Sequence, residues 1–248
     1  MEYYRPILYI CFGILPSLFW LLYYLRKDLH PEPKRIILKV FLYGIIITVP
    51  VFCLQLWLSG LLANLQSSGI FSQYPVIIDI LKWFFVIALT EEVLKYIGLR
   101  FAVLKDDVLD EPLDIMLYMV IVATGFAGLE NILYLFPSAS VVSLDSVIKN
   151  TLLVSSTRFV GATLLHTLCS ALLGYFLALS FLKTHQRVLL TITGIVLATT
   201  LHGLFDFSII TLPSPLNTVI PAMIIIGLTI FVFHAFDKLK KIKSICKI

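Results

Sequence analysis

The chain has 248 residues, 59% of them hydrophobic and only 14% charged, with a mean hydropathy of +0.98. Soluble domains carry about a quarter charged residues, so this composition excludes a water-soluble globular protein. The net charge of +4 does not indicate nucleic acid, because five lysines lie in one short tail, Lys238 to Lys247, directly after an apolar run. Anionic lipid headgroups are the expected partner of that tail.

Apolar runs long enough to cross a hydrocarbon core of about 30 Å recur along the whole chain. In order they predict seven helices, 6–25, 36–63, 82–104, 113–136, 158–182, 188–211 and 216–236. The first run lacks a small-residue cleavage site and carries its positive charges after it, so it reads as a retained span rather than a signal peptide. Cys11, Cys53, Cys169 and Cys246 show no CxxC spacing, which points to free thiols. Basic residues concentrate in alternate connections: Arg26, Lys27, Lys34 and Arg35, then Arg100 and Lys105, then Lys183 and Arg187, then the lysine tail. The connections at 64–75, 137–150 and 212–215 hold only Lys149. This bias places the N-terminus outside and the C-terminus in the cytoplasm, which requires an odd number of crossings. Pro137, Pro213 and Pro215 mark turns, and no repeat is visible. The expected fold is all-α: one integral membrane domain, 1–248, built as a polytopic transmembrane bundle.

Eight ionisable residues fall inside these spans: Glu91, Glu92, Lys95, Glu130, Arg158, His166, His202 and Asp206. A central charge costs about 2.5 to 3.5 kcal/mol on insertion scales, so four unpaired carboxylates would cost on the order of 10 kcal/mol. Such residues must face one another or a wet cavity. At 100° per residue, Lys95 lies between Glu91 and Glu92 one turn further on. His202 and Asp206, four apart, share a face on which the carboxylate can accept from the imidazole. Glu130 lies on a helix whose Gly125 and Gly128 allow close approach of a neighbour. At a rise of 1.5 Å per residue, Glu130, His166, His202 and Asp206 fall at one level in the outer half of the bilayer. Glu91 joins them if the third span starts near Lys82, with Asp79 and Lys82 paired at the interface. Four carboxylates against Lys95 and Arg158 leave a formal charge of −2, to be offset by shared protons, protonated histidines or a divalent cation.

Two chemistries fit. In hydrolysis, a glutamate activates water as general base while histidines protonate or stabilise the developing oxyanion. A metal variant of the same reaction uses His166, His202 and a carboxylate as ligands to a cation such as zinc. No HExxH occurs, so zinc is not indicated by motif, and the expectation is that no tightly bound metal is needed. An ion or proton-coupled transporter would instead spread polar residues from face to face, whereas here they bunch at one level. Each residue alone has a structural reading: Glu91 with Lys95 a helical pair, Arg158 snorkelling, His166 a satisfied core histidine, Phe126 packing, Tyr118 and Tyr134 belt or core. The convergence of the set on four helices favours a site.

The ordered motifs Glu91-Glu92-x-x-Lys95, Asp114 ahead of Gly125-Phe126-Ala127-Gly128-Leu129-Glu130-Asn131, Arg158 with His166, and His202-x-x-x-Asp206 resemble the PrsW-type intramembrane proteases. These lie within the wider set of membrane glutamate proteases that includes the CAAX prenyl endopeptidases. The resemblance covers about 82–210 and implies a catalytic four-helix core, 82–211, in a bacterial plasma-membrane protease that cuts a membrane-anchored protein. Anti-sigma factors cleaved on their extracytoplasmic side are the known substrate type. It implies Glu91, Glu92 and His202 as the leading catalytic residues, with Glu130, His166 and Asp206, and with Lys95, Arg158, Asn131 and Phe126 in support. The CAAX branch is the alternative, but it is expected to carry Glu-Glu-x-x-x-Arg and Phe-x-x-x-His, and this chain has Lys95 at the shorter spacing and Glu130 in place of that histidine.

Overall fold

The computed structural model describes residues 4–28, 30–69, 74–103, 109, 111–136 and 144–242, and every regular element among them is helical. In chain order these are α1 (Tyr4–Leu25), α2 (Lys34–Ser67), α3 (Pro75–Ile80), a π-helical segment (Leu81–Leu89) running into α4 (Thr90–Ala102), α5 (Pro112–Leu135), α6 (Leu144–Val160), α7 (Ala162–Leu182), α8 (Arg187–Thr211) and α9 (Leu216–Lys240). Six stretches are long and apolar enough to cross a membrane: α1, α2, α5, α6 joined to α7, α8 and α9. The expected third span is present as the continuous helix 75–102, but its Asp79, Lys82, Glu91, Glu92, Lys95 and Arg100 keep it outside that apolar set.

α5 and α7 form the centre. Every residue from Pro112 to Gly128 and from Thr163 to Tyr175 is buried. Their backbones run close together, since a Cβ on Gly174 would stand 2.7 Å from Met116 Cα. α1 and α2 cover α5, α8 covers α7, and α9 packs against α7 and α8. The surrounding helices turn large apolar side chains outward, among them Phe52, Leu56 and Trp57 on α2 and Met223, Ile226 and Ile230 on α9. That is the surface a lipid solvent requires, with all backbone polarity satisfied inside each helix.

The structure departs from expectation at α6. The sequence predicts a connection over 137–150 and a span from 158, whereas a helix already runs from Leu144. Asp145, Lys149, Asn150 and five Ser or Thr residues interrupt its apolar pattern, so it gives no span-like signal. It ends at Gly161, whose φ of −91° and ψ of −99° break the helical path before α7 begins. Phe159, in the last turn of α6, has its carbonyl taken by Trp20 Nε1 of α1 at 2.9 Å, and the two rings stack. The lysine tail lies partly outside the described residues, as do Lys105, Pro137 and Cys246.

The expected close approach at Gly125 is present. A Cβ there would lie 2.1 Å from Phe41 O of α2, and one on Gly44 would lie 2.2 Å from Val122 O. Gly128 is looser, its nearest neighbour being Ser17 Oγ at 3.5 Å. Gly125→Val should therefore force α2 from α5 and cost about 3 kcal/mol or more, while Gly128→Ala should be tolerated. Thermal unfolding of the purified protein in detergent, followed by size-exclusion chromatography, measures both; equal midpoints for the two variants would contradict this packing.

Candidate active site

Polar residues from α2, α4, α5, α6, α7 and α8 meet at one end of the bundle, around a fully buried lysine. Lys95 Nζ is 2.8 Å from Glu92 Oε1, 3.6 Å from Glu91 Oε2 and 3.0 Å from His166 Nδ1, and sits 4.5 Å from the centre of the Phe126 ring. The residue geometry expected from helical spacing holds, because the α-helix resumes at Thr90 immediately before the motif. The π-helical turn ahead of it carries Phe84 against Gly203 of α8, where a Cβ would lie 2.8 Å from the ring. This close approach brings His202 down onto α4.

The two adjacent glutamates have different surroundings. Glu92 has no exposed surface; its Oε1 is bonded to Lys95 and to His202 Nδ1 at 2.9 Å, and its Oε2 accepts from Ser170 Oγ at 3.4 Å. Glu91 faces a cavity of about 720 Å³. Its Oε1 accepts from Gln55 Nε2 of α2 at 3.0 Å, while its buried Oε2 has no hydrogen-bond partner. Only longer approaches surround that oxygen, to Lys95 Nζ at 3.6 Å, to His166 Nδ1 at 3.7 Å and to His202 Nε2 at 3.8 Å.

His166 is held at both nitrogens. The lysine ammonium donates to Nδ1, so Nε2 carries the hydrogen and donates to Glu130 Oε2 at 2.8 Å. Glu130 also accepts from Arg158 Nη2 at 2.6 Å. Arg158 therefore pairs inside the site rather than snorkelling, with its guanidinium 4.0 Å over the Tyr134 ring and its Nε donating to Asn131 Oδ1. Asn131 in turn donates to Gly13 O of α1 and to Thr163 Oγ1 of α7. His166 and His202 meet edge to face with ring centres 5.0 Å apart.

All of the predicted cluster, Glu91, Glu92, Lys95, Glu130, Arg158, His166, His202 and Asp206, is thus brought together, and Phe126 and Asn131 support it. Some details differ from expectation. The closest partner of His202 is Glu92, and Asp206 Oδ2 stands off at 3.4 Å from Nε2. Asp114 is remote from the site: it forms a capping box with Glu111 at the start of α5, accepting from the Glu111 N–H at 2.7 Å. Lys82 rests over the Trp83 ring, 5.0 Å from its centre, and both line the cavity, so Lys82 is not the expected partner of Asp79. Gln55 was not anticipated. Its signal was a lone amide within the apolar α2, a residue type that bonds across helices in membranes.

The donor set fits a divalent cation. Glu91, His166 and His202 each offer an atom within 4.8 Å of the others, all three are buried, and the orphaned Glu91 oxygen stands among them. The formal −2 of the surrounding charges favours the same occupant.

Residues 32–235 match the family described as PrsW family intramembrane metalloprotease. A relative from Geobacillus kaustophilus named Protease PrsW is 28% identical over 198 residues, 79% of this chain and 76% of its own. The protein of that name from Bacillus subtilis is 26% identical over 235 residues, 94% of each chain. No solved structure matches.

The Glu130–Arg158 pair has side chains only 19% and 12% exposed. Removing one partner strands the other charge in a low-dielectric setting, at roughly 3 kcal/mol or more. Glu130→Leu and Arg158→Leu should each lower the unfolding midpoint in detergent, and the double variant should be less destabilised than either. Additive losses would show that the pair is not coupled.

Proposed function

The chain belongs to the PrsW family of intramembrane metalloproteases, and from that premise we propose that it hydrolyses a peptide bond of a membrane-anchored protein inside the cavity, with Glu91 activating the water. It is a multi-pass bacterial membrane protein and a membrane-embedded protease. The observation that carries the mechanism is the unpartnered, buried Oε2 of Glu91 at the cavity wall. A carboxylate oxygen that accepts no hydrogen bond, with the Lys95 ammonium no nearer than 3.6 Å, is open to a water proton, and Gln55 fixes the carboxylate through its other oxygen.

The remaining roles follow from what each side chain is already bonded to. Glu92 accepts from Nδ1 of His202, and Nε2, 3.8 Å from Glu91 Oε2 at the cavity wall, takes over the proton that Glu91 removes from water and delivers it to the leaving amine. His166 has both nitrogens occupied and is a positioning group that joins Lys95 to Glu130. Asp206 shares the cavity wall and steadies His202 from the far side. Glu91, His166 and His202 are the residues that would hold a divalent cation, which when bound supplies Lewis acidity toward a carbonyl oxygen; holding it would require His166 Nδ1 to exchange the lysine ammonium for the ion and would take His202 Nε2 out of its proton-transfer role. The catalytic core is then 82–211, with Gln55 added from α2.

Apolar residues Phe52, Leu165, Phe205 and Ile209 share the cavity with the polar groups, which suits an unwound stretch of a membrane-spanning substrate. The charge bias of the connections supports the N-terminus outside and the site in the outer half of the bilayer, and hence a substrate such as an anti-sigma factor cut near its extracytoplasmic side. A transporter is disfavoured because α5, at the centre of the bundle, is buried and apolar from Ile115 to Ala123 apart from Tyr118.

Incubating the purified protein with a panel of single-span peptides, scored by mass spectrometry, tests the reading. Glu91→Gln and His202→Ala should lower cleavage by about 10²-fold or more. Gln55→Ala should reduce kcat by about tenfold with little change in KM, since it orients Glu91 without touching substrate. Full cleavage by Glu91→Gln would remove Glu91 from the mechanism. Metal content, measured on the same samples, should fall in Glu91→Gln and His166→Ala relative to the parent protein if these residues hold a cation; full activity in protein stripped of metal would assign the reaction to the side chains alone.

A further inference from the structure

A second cavity, of about 310 Å³, lies at the opposite end of the bundle and is built from two helical pairs facing one another. Tyr96 and Arg100 of α4 are four residues apart and share a face, as do Arg187 and Thr191 of α8, with Ser180 of α7 between them. Ser180 follows His166 by 14 residues along α7 and Arg187 precedes His202 by 15 along α8, whereas on α4 Arg100 follows Glu92 by only eight, so the two arginines stand about 12 to 22 Å along the bundle from the candidate active site.

Its chemistry is that of an anion receptor. Among the described residues, neither guanidinium has a carboxylate oxygen within ion-pair distance. The Arg187 guanidinium is held flat over the Phe181 ring, 4.4 Å from its centre, which limits its freedom and aims its fork. Two arginines, a phenol and the Thr191 hydroxyl form a donor-rich recess, with no acid among its described lining residues.

We propose that this pocket binds a phosphate group, carried either by the headgroup of a membrane phospholipid or by a free phosphate. The flanking surface favours the lipid. Phe101 beside Arg100, and Val188 and Leu189 beside Arg187, are among the most exposed apolar side chains of the protein. They provide a track for acyl chains directly below the arginines, an arrangement that a soluble phosphate does not use. A headgroup seated there ties the end of α4 to the start of α8, the two helices that bring Glu91, Glu92 and His202 together.

The test is native mass spectrometry of the detergent-purified full chain, titrated separately with phosphatidylglycerol, phosphatidylcholine and inorganic phosphate. Phosphatidylglycerol should be retained in preference to phosphatidylcholine, and Arg100→Gln/Arg187→Gln should weaken its retention by about tenfold or more, equivalent to one charge-assisted contact. Arg100→Lys/Arg187→Lys, which keeps the charge but loses the fork, should fall between. Lys149→Gln, which removes an exposed basic residue away from the pocket and outside the lysine tail, should leave retention unchanged. Suppression of lipid retention by millimolar inorganic phosphate, lost in the arginine double variant, would identify free phosphate as the occupant of the same pocket. Equal lipid and phosphate binding by parent protein and arginine double variant would overturn the proposal.

Discussion

The arrangement depends on one buried cation. Lys95 has no exposed surface and lies within a helix in the apolar interior. A lone ammonium in that setting is intolerable, so carboxylates must be near it and must be held there. Glu92 meets the requirement directly, and Glu91 is drawn toward the same ammonium without reaching it. The asymmetry between two chemically identical neighbours follows from this: one carboxylate is spent on structure, the other is left with an idle oxygen at a cavity wall. His202 and His166 are then ordered by the residues that satisfy Lys95, so the whole constellation is a consequence of neutralising a single charge.

Three structural devices bring the partners within reach. The π-helical turn before Thr90 and the glycine of α8 let two helices approach closely. The Gly125–Gly44 crossing seats α2, and with it Gln55, beside the motif. The break at Gly161 turns α6 so that Arg158 can reach Glu130 while α7 continues inward with His166. Each device trades regular helix for position, and all of them act next to the reactive groups rather than at the apolar end.

Much of this was legible in the primary structure, because in lipid a charged residue is costly enough to announce itself. Glu130, His166 and His202 could be grouped by depth and Glu91, Glu92 and Lys95 by angle, since those depend only on helical rise and twist, and the two groups join once the third span is taken to start near Lys82. What could not be read were features without a periodic signature. α6 is too polar to look like a span, and its identity depends on packing against α1 and α7. The division of labour between Glu91 and Glu92 depends on which side of α4 the cavity lies, a tertiary fact. Asp114 fell at the right place in an ordered motif, yet one turn of local capping chemistry accounts for it. Gln55 was visible as an amide in an apolar helix, but nothing in its neighbourhood named its partner.

The first helix, although it precedes the family-matched stretch, is joined to the reactive end by three bonds: Gly13 O to Asn131, Phe12 O to Ser155 at 2.8 Å, and Trp20 to the carbonyl of Phe159. Two of these supply backbone acceptors and one caps a carbonyl; at Phe12 only the path of the helix is needed, whereas Gly13 must also stay small, because a Cβ there would lie 2.9 Å from Ile132 N. Divergence at the amino-terminal end is therefore compatible with a shared chemistry, provided that a helix still passes at the same height with a small residue at that crossing.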